Sequence, residues 1–184
     1  LSQLEKIGVC MVNSRDTVEL SSDKYRTYLR LQDYGLTQPK TVLIPNEKTW
    51  KDALEKLESK FPIIMKTLEG SKGIGVLFIE SERQIESLIQ LLYSQNNDVD
   101  LLIQEYIKTD GDVSQGAKIK EYSLTELEVE QCLLAAKAID GSWTAVDFIP
   151  SKNPKKEPPF ILEVNHSPGT EGIEKASGQN IVKL

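Results

Sequence analysis

The segment FILEVN, residues 160–165, restricts the fold of this chain more than any other stretch. Phe160, Ile161, Leu162 and Val164 suit a buried β-strand, yet the strand also carries a carboxylate, Glu163, and an amide, Asn165. Side chains two apart on a strand share a face, so both polar groups look the same way. Acids inside strongly apolar strands are rare unless they are paired or bind metal. A second apolar run, AVDFI (145–149), holds Asp147 at its centre, and the turn PSKNPKKEPP joins the two runs as a hairpin. Three oxygen-bearing groups without sulfur or imidazole suit magnesium or manganese. The competing explanation is polar groups on an edge strand facing water.

Elsewhere the hydrophobic period switches between strand and helix. SSDKYRTYLRLQDYGL (21–36) reads as a helix opened by serines and Asp23 and stopped at Gly35. NEKTWKDALEKLESK (46–60) reads as a second, capped by Asn46. SERQIESLIQLLYSQ (81–95) and SLTELEVEQCLLAAKAI (123–139) are two more, with capping boxes at Ser81/Gln84 and Ser123/Glu126. KTVLI, FPIIMKTL, GVLFIE and DLLIQEYI read as strands, and a short helix is expected from about Thr170. Adjacent strands joined by turns predict an α+β protein with a large antiparallel component.

The 184 residues, 39% hydrophobic and 27% charged, suit one large domain or two lobes sharing a site. A net charge of −6 argues against a broad nucleic-acid-binding face. Cys10 and Cys132 are far apart and lack zinc-spaced partners, which fits a reducing cytoplasm rather than a disulfide or zinc scaffold. No apolar run is long enough to span a bilayer. The first residue is Leu1 rather than Met, so an upstream segment is expected.

LEGSKGIGV (68–76) places Gly70 and Gly75 at P-loop spacing, but Val76 stands where that motif needs Lys. It joins two strands, so no helix N-terminus stands behind it to receive phosphate. Such a turn either is an ordinary hairpin or folds over phosphates with its backbone N–H groups. Lys66 ends an apolar strand and Lys24 starts a helix, where a cation is electrostatically misplaced. Each either snorkels to water or faces an anion. QEYI (104–107) is either a strand end reaching solvent or a hinge offering its backbone to a purine. His166 reads as a loop residue, and nothing supports a Ser-His-Asp or Cys-His nucleophile.

Taken in order, the lysine of an early helix, KTLEGSKGIGV, IQEYIK, VDF and EVNHSPGTEGIEK resemble the ATP-grasp superfamily, and within it the RimK-like carboxylate–amine ligases. The resemblance covers nearly the whole chain. It implies two α/β lobes with largely antiparallel sheets gripping ATP: a linker over residues 1–20, a smaller lobe over 21–103 and a larger lobe over 104–184. By position, Lys24 and Lys66 would contact the ATP phosphates, and Glu69, Gly70, Ser71, Gly73, Ile74 and Gly75 would form a flap over them. Glu105, Tyr106 and Ile107 would hold the adenosine, with Asp112 near the ribose. Asp147, Glu163 and Asn165 would bind Mg²⁺, or Mn²⁺ in its place. No catalytic residue is implied beyond these. The implied reaction converts a carboxylate to an acyl phosphate with ATP, and an amine such as that of glutamate then displaces phosphate. The carboxylate would belong to a small acid or a protein C-terminus. No nucleic-acid or membrane partner is implied, and a homo-oligomer is allowed.

The chain departs from the family after QEYIKTDG, where a strand hairpin and an arginine-containing loop would follow, on the order of 20–30 residues. The four arginines, Arg15, Arg26, Arg30 and Arg83, all precede that point. Deleting central strands would leave backbone groups unpaired. The expectation is therefore that this sequence skips a segment near Asp112 and Val113, and peptide mapping that finds the two bonded directly would refute it. The rival readings are a non-catalytic ATP-binding module and a small-molecule kinase.

Overall fold

The computed structural model describes residues 1–58, 60–68, 75–95, 99–108 and 121–181. A short helix α1 (Ser2–Lys6) leads to α2 (Arg15–Ser22) and α3 (Lys24–Asp33). The sequence predicts one helix opening at Ser21, but Ser21 and Ser22 close α2 instead, because Asp23 is extended and caps α3. Its carboxylate accepts from the Tyr25 and Arg26 N–H groups, both at 2.9 Å. Lys24 therefore sits at the first turn of α3. Gly35, at φ +71, ends that helix as expected.

Strand β1 (Thr41–Ile44) is followed by a 3₁₀ turn capped by Asn46 and by α4 (Trp50–Lys56). Next come β2 (Ile63–Thr67), β3 (Val76–Ile79), α5 (Glu82–Gln95) and β4 (Leu101–Glu105). These four strands form an antiparallel sheet in the order β1-β4-β2-β3. Helix α6 (Glu126–Ala138), strands β5 (Ala145–Ile149) and β6 (Phe160–Asn165), and α7 (Glu171–Ser177) complete the described elements. Strands β5 and β6 pair antiparallel as the predicted hairpin.

Two hydrophobic clusters organise the molecule. One packs Ile63, Met65, Leu101 and Ile103 of the sheet against Trp50 and Leu54 of α4 and Ile85 and Ile89 of α5. The other packs Ile161 and Val164 of β6 against Ala135 and Ala138 of α6 and Leu31 of α3. Burying each such large aliphatic side chain is worth about 1.5–3 kcal/mol. Leu31 and Leu36 thus join the second cluster, although the sequence reading assigns 21–103 to the smaller lobe. Apolar packing also draws in α2: Leu20 packs against this cluster, and buried Thr17 donates to the Asp140 carbonyl at 2.9 Å. Residues 13–20 are therefore part of the packed body, not only a connecting linker.

The capping box of α6 lies two residues beyond its expected place. Thr125, not Ser123, caps the helix, and Glu128, not Glu126, reaches back to the Thr125 N–H at 2.8 Å. Glu128 is fully buried and also accepts from the Tyr122 hydroxyl at 2.9 Å. At α5, Ser81 accepts from the Gln84 N–H as expected, while the Gln84 side chain accepts from the Glu80 N–H instead.

Candidate active site

Strand pairing brings the three oxygen-bearing groups together. Asp147 of β5 lies directly across from Glu163 of β6, and Asn165 follows two residues on, so all three share one face. The Asn165 amide donates to the Asp147 carboxylate at 3.1 Å. Glu163 and Asn165 are half-buried and Asp147 is exposed, so the face opens on a cleft. Among the described residues no group of three or more His, Cys, Asp or Glu is arranged to hold a metal ion. The set here is two carboxylates and an amide, hard oxygen donors suited to a small divalent cation whose remaining positions are filled by water or phosphate.

Two lysines face this set from the four-stranded sheet and α3. A small pocket is lined by Lys24, Lys66, Gln104, Leu162 and Glu163 together. Lys66 of β2 shares its face with Ile64, opposite the core residues Ile63 and Met65. Burial pulls the Lys66 ammonium below its ordinary pKa, Glu163 pulls the other way, Lys24 adds to the depression and Asp147 opposes it. These couplings place the two lysines and the two carboxylates in one electrostatic field. Lys24 also donates to the Leu68 carbonyl at 3.4 Å, where the glycine-rich loop begins.

Sequence reasoning placed Gln104 only in the QEYI hinge and missed what its side chain does. It is buried, its oxygen accepts from Lys66 at 2.8 Å and its amide donates to Thr41 Oγ1 at 2.8 Å. Thr41 in turn donates to the Pro39 carbonyl at 3.0 Å, so its oxygen is left to accept. An ammonium can only donate, and the direction of the whole chain follows. A polar residue one position from the end of an otherwise apolar strand was the signal, but the Ile64–Gln104 pairing that makes Lys66 its neighbour is not local.

The hinge residues are less uniform. The Glu105 carboxylate accepts from the Lys40 N–H at 3.1 Å and its own N–H donates to the Lys40 carbonyl at 2.8 Å. Strand alternation puts Glu105 on the face opposite Gln104 and Lys66. Its carboxylate is thus turned from the cleft, while its carbonyl stays at the strand end. Tyr106 packs edge-on to Phe78 with centroids 5.1 Å apart, and Ile107 is half-buried in the segment that follows. A second cavity, about 530 Å³, lies at these strand ends between Lys40, Phe61, Phe78, Glu105 and Tyr106.

Gly75 closes the glycine-rich loop at φ +79, and its carbonyl accepts from the Thr67 N–H at 3.2 Å. Glu69, Gly70, Ser71, Gly73, Ile74 and Asp112 lie outside the described residues, as does the join near Asp112 and Val113.

The sequence matches the RimK-like ATP-grasp domain family over residues 21–114 and 110–184. It is 30% identical over 212 aligned positions to a protein of Pseudoalteromonas translucida named "Probable alpha-L-glutamate ligase", covering 100% of this chain and 68% of that one. Against 184 residues here, 212 positions leave 28 of the relative without a counterpart. The fold is shared with a RimK domain ATP-grasp protein of Sphaerobacter thermophilus, with a TM-score of 0.73 and 16% identity over 95% of this chain and 70% of that one. It is shared also with the VanG D-Ala:D-Ser ligase of Enterococcus faecalis, with a TM-score of 0.69 and 17% identity over 91% of this chain. This chain spans only 59% of that ligase. On the match of both segments to the family, and on 30% identity over the whole chain to a named relative, the chain belongs to the RimK-like ATP-grasp family.

Proposed function

We propose that this chain is the ATP-binding part of a carboxylate–amine ligase that forms an amide or peptide bond through an acyl phosphate. The observation that carries the reading is the register of β5 and β6, which sets Asp147 across from Glu163 with Asn165 on the same face, below Lys24 and Lys66. Ligases of this fold use ATP with a divalent metal. Asp147, Glu163 and Asn165 would hold that metal here, Mg²⁺ or Mn²⁺, because their oxygens match its chemistry. When bound it neutralises charge on the phosphoryl oxygens.

The chain's own residues do the rest. Lys24 and Lys66 bind the phosphates and stabilise the charge that builds as the substrate carboxylate takes the γ-phosphoryl group. Gln104 holds Lys66 aimed into the cleft. We assign the covering of the phosphates to Glu69, Gly70, Ser71, Gly73, Ile74 and Gly75 on the family resemblance, all but Gly75 lying outside the described residues. The backbone of Glu105, Tyr106 and Ile107 takes the adenosine, and the role at the ribose falls by the family resemblance to Asp112, which lies outside the described residues. Glutamate is the amine that the relatives' names favour. The carboxylate is that of a small acid or a protein C-terminus. The free thiols of Cys10 and Cys132 favour a reducing cytoplasm, and a homo-oligomer is allowed; separately, no helix among the described residues is long and apolar enough to cross a membrane.

One observation favours a second reading, a non-catalytic ATP-binding module: 28 positions of the relative have no counterpart here, and the family match divides at residues 110–114. ATP turnover with Mg²⁺ and a panel of amino acids and peptides separates the two. Phosphate release with a product heavier by one amino acid, abolished in Glu163→Ala, supports the ligase. Nucleotide binding without turnover on any pair supports the module. A phosphorylated product without an amide points to a kinase.

A further inference from the structure

Asn13 lies outside the family match, in a stretch that reads as connecting chain, yet its side chain makes four hydrogen bonds to a distant part of the chain. It is only 9% exposed. Its amide donates to the Trp143 carbonyl at 2.7 Å and to the His166 carbonyl at 2.6 Å. Its oxygen accepts from the Ser142 N–H at 2.9 Å and the Trp143 N–H at 3.2 Å. Each of these partners is about 130 residues or more away in sequence, and together they use the whole hydrogen-bonding capacity of one side chain.

Where these bonds fall gives them meaning. The β5–β6 ladder ends at the pair Ala145–Asn165. Trp143 lies two residues before the start of β5, and His166 directly follows the end of β6. Both offer carbonyls, which cannot bond each other. Asn13 stands between them and supplies the two donors that the strands lack. Ser21 of the following helix fixes the same residue a second time, its hydroxyl lying 2.9 Å from His166 Nδ1. Asn165, a proposed metal ligand, is therefore clamped at the open end of its hairpin from one side by the ladder and from the other by Asn13.

We propose that Asn13 is a positioning residue for the Asp147, Glu163 and Asn165 set: an extra rung beyond the ladder that holds the strand ends at the spacing the cation needs. This rests on the metal-site reading above. Groups hydrogen-bonded to the ligands themselves are worth roughly 10–100-fold in metal affinity; Asn13 acts through the backbone next to Asn165, so the lower end of that range applies.

The test measures free Mn²⁺ by electron paramagnetic resonance in titrations of the protein with Mn²⁺ and ADP, each variant being held well below its melting temperature. Glu163→Gln must weaken Mn²⁺ binding in the presence of ADP; if it does not, the metal-site reading fails and this inference falls with it. Thr17→Val removes a neighbouring bond to the same turn, that from Thr17 to the Asp140 carbonyl, without touching the rung. It should lower the melting temperature and leave Mn²⁺ affinity within about twofold of wild type. Asn13→Ala should weaken Mn²⁺ binding by about tenfold or more. If Asn13→Ala does not fold, Asn13→Asp replaces it, since it keeps the acceptor for Ser142 and Trp143 and loses the donors for Trp143 and His166. Wild-type Mn²⁺ affinity in the folded Asn13 variant, with Glu163→Gln still impaired, would reduce Asn13 to a purely structural contact and overturn the proposal.

Discussion

Replacing Gly75 by alanine tests the root of the proposed flap with two costs that can be separated. At φ +79 a side chain costs about 1–2 kcal/mol in backbone strain. The new Cβ would also lie 2.5 Å from Thr67 Oγ1 and 3.3 Å from its Cγ2. Thr67 is β-branched and stiff, and its N–H is tied to the Gly75 carbonyl at 3.2 Å. Relieving that clash should add about 1–3 kcal/mol, the usual range for overpacking. Gly75→Ala should therefore lose about 2–5 kcal/mol in urea denaturation. In a Thr67→Ala background the nearest remaining atom is the residue 67 Cβ at 3.5 Å, an ordinary contact. There the same substitution should cost only about 1–2 kcal/mol, leaving a coupling of about 1–3 kcal/mol between the two positions. A cost for Gly75→Ala below about 0.5 kcal/mol, or one that Thr67→Ala leaves unchanged, would refute the geometry at this turn.

Three further outcomes are expected. Glu128→Ala removes a capping box and a carboxylate that Tyr122 donates to inside the protein, and should cost about 3 kcal/mol by chemical denaturation; a loss under about 1 kcal/mol would contradict the buried network. Burial holds the Lys66 pKa below the unfolded value of about 10.4, so between the two values the unfolded chain binds more protons and stability rises with pH. Wild type should accordingly gain on Lys66→Met as pH climbs through that window, by at most about 1.4 kcal/mol per pH unit, and a flat difference would sink this assignment. Gln104→Glu sets a carboxylate against Lys66, raising its pKa relative to wild type and competing with phosphate. Calorimetry should find ADP binding about tenfold weaker, recovering with salt, and unchanged affinity would mean Lys66 does not meet the phosphates.

The arrangement of the candidate site was legible in the sequence wherever it is local. Glu163 and Asn165 share a face by strand parity alone, and Asp147 meets them through a single hairpin. Lys66 announced itself as a charge at the end of an apolar strand. What escaped depends on contacts that sequence spacing does not encode. Gln104 becomes a partner of Lys66 only because β4 lies between β1 and β2. Asn13 acts across more than half the chain. The α6 cap was misplaced because Ser123/Glu126 and Thr125/Glu128 satisfy the same pattern, and the choice falls to the buried pocket that receives Glu128. Likewise Leu31 and Leu36 read as members of the smaller lobe, but the core that receives them is built by β6 and α6.

The pairing of β5 with β6 slips by one residue between Asp147 and Phe148, which leaves Leu162 as an extra residue in its strand. Ile161 and Val164 are three apart, yet both are buried in the same core, at 1% and 0% exposure. A regular strand would turn them to opposite faces. Without Leu162 the run Ile161, Glu163, Val164, Asn165 would alternate inward and outward without a break, so the core alone has no use for a sixth residue. Leu162 instead lies beside Glu163 in the pocket lined by Lys66. In effect the strand keeps two reading frames, one set by the core and one by the cleft, and this single residue is where the chain changes from one to the other.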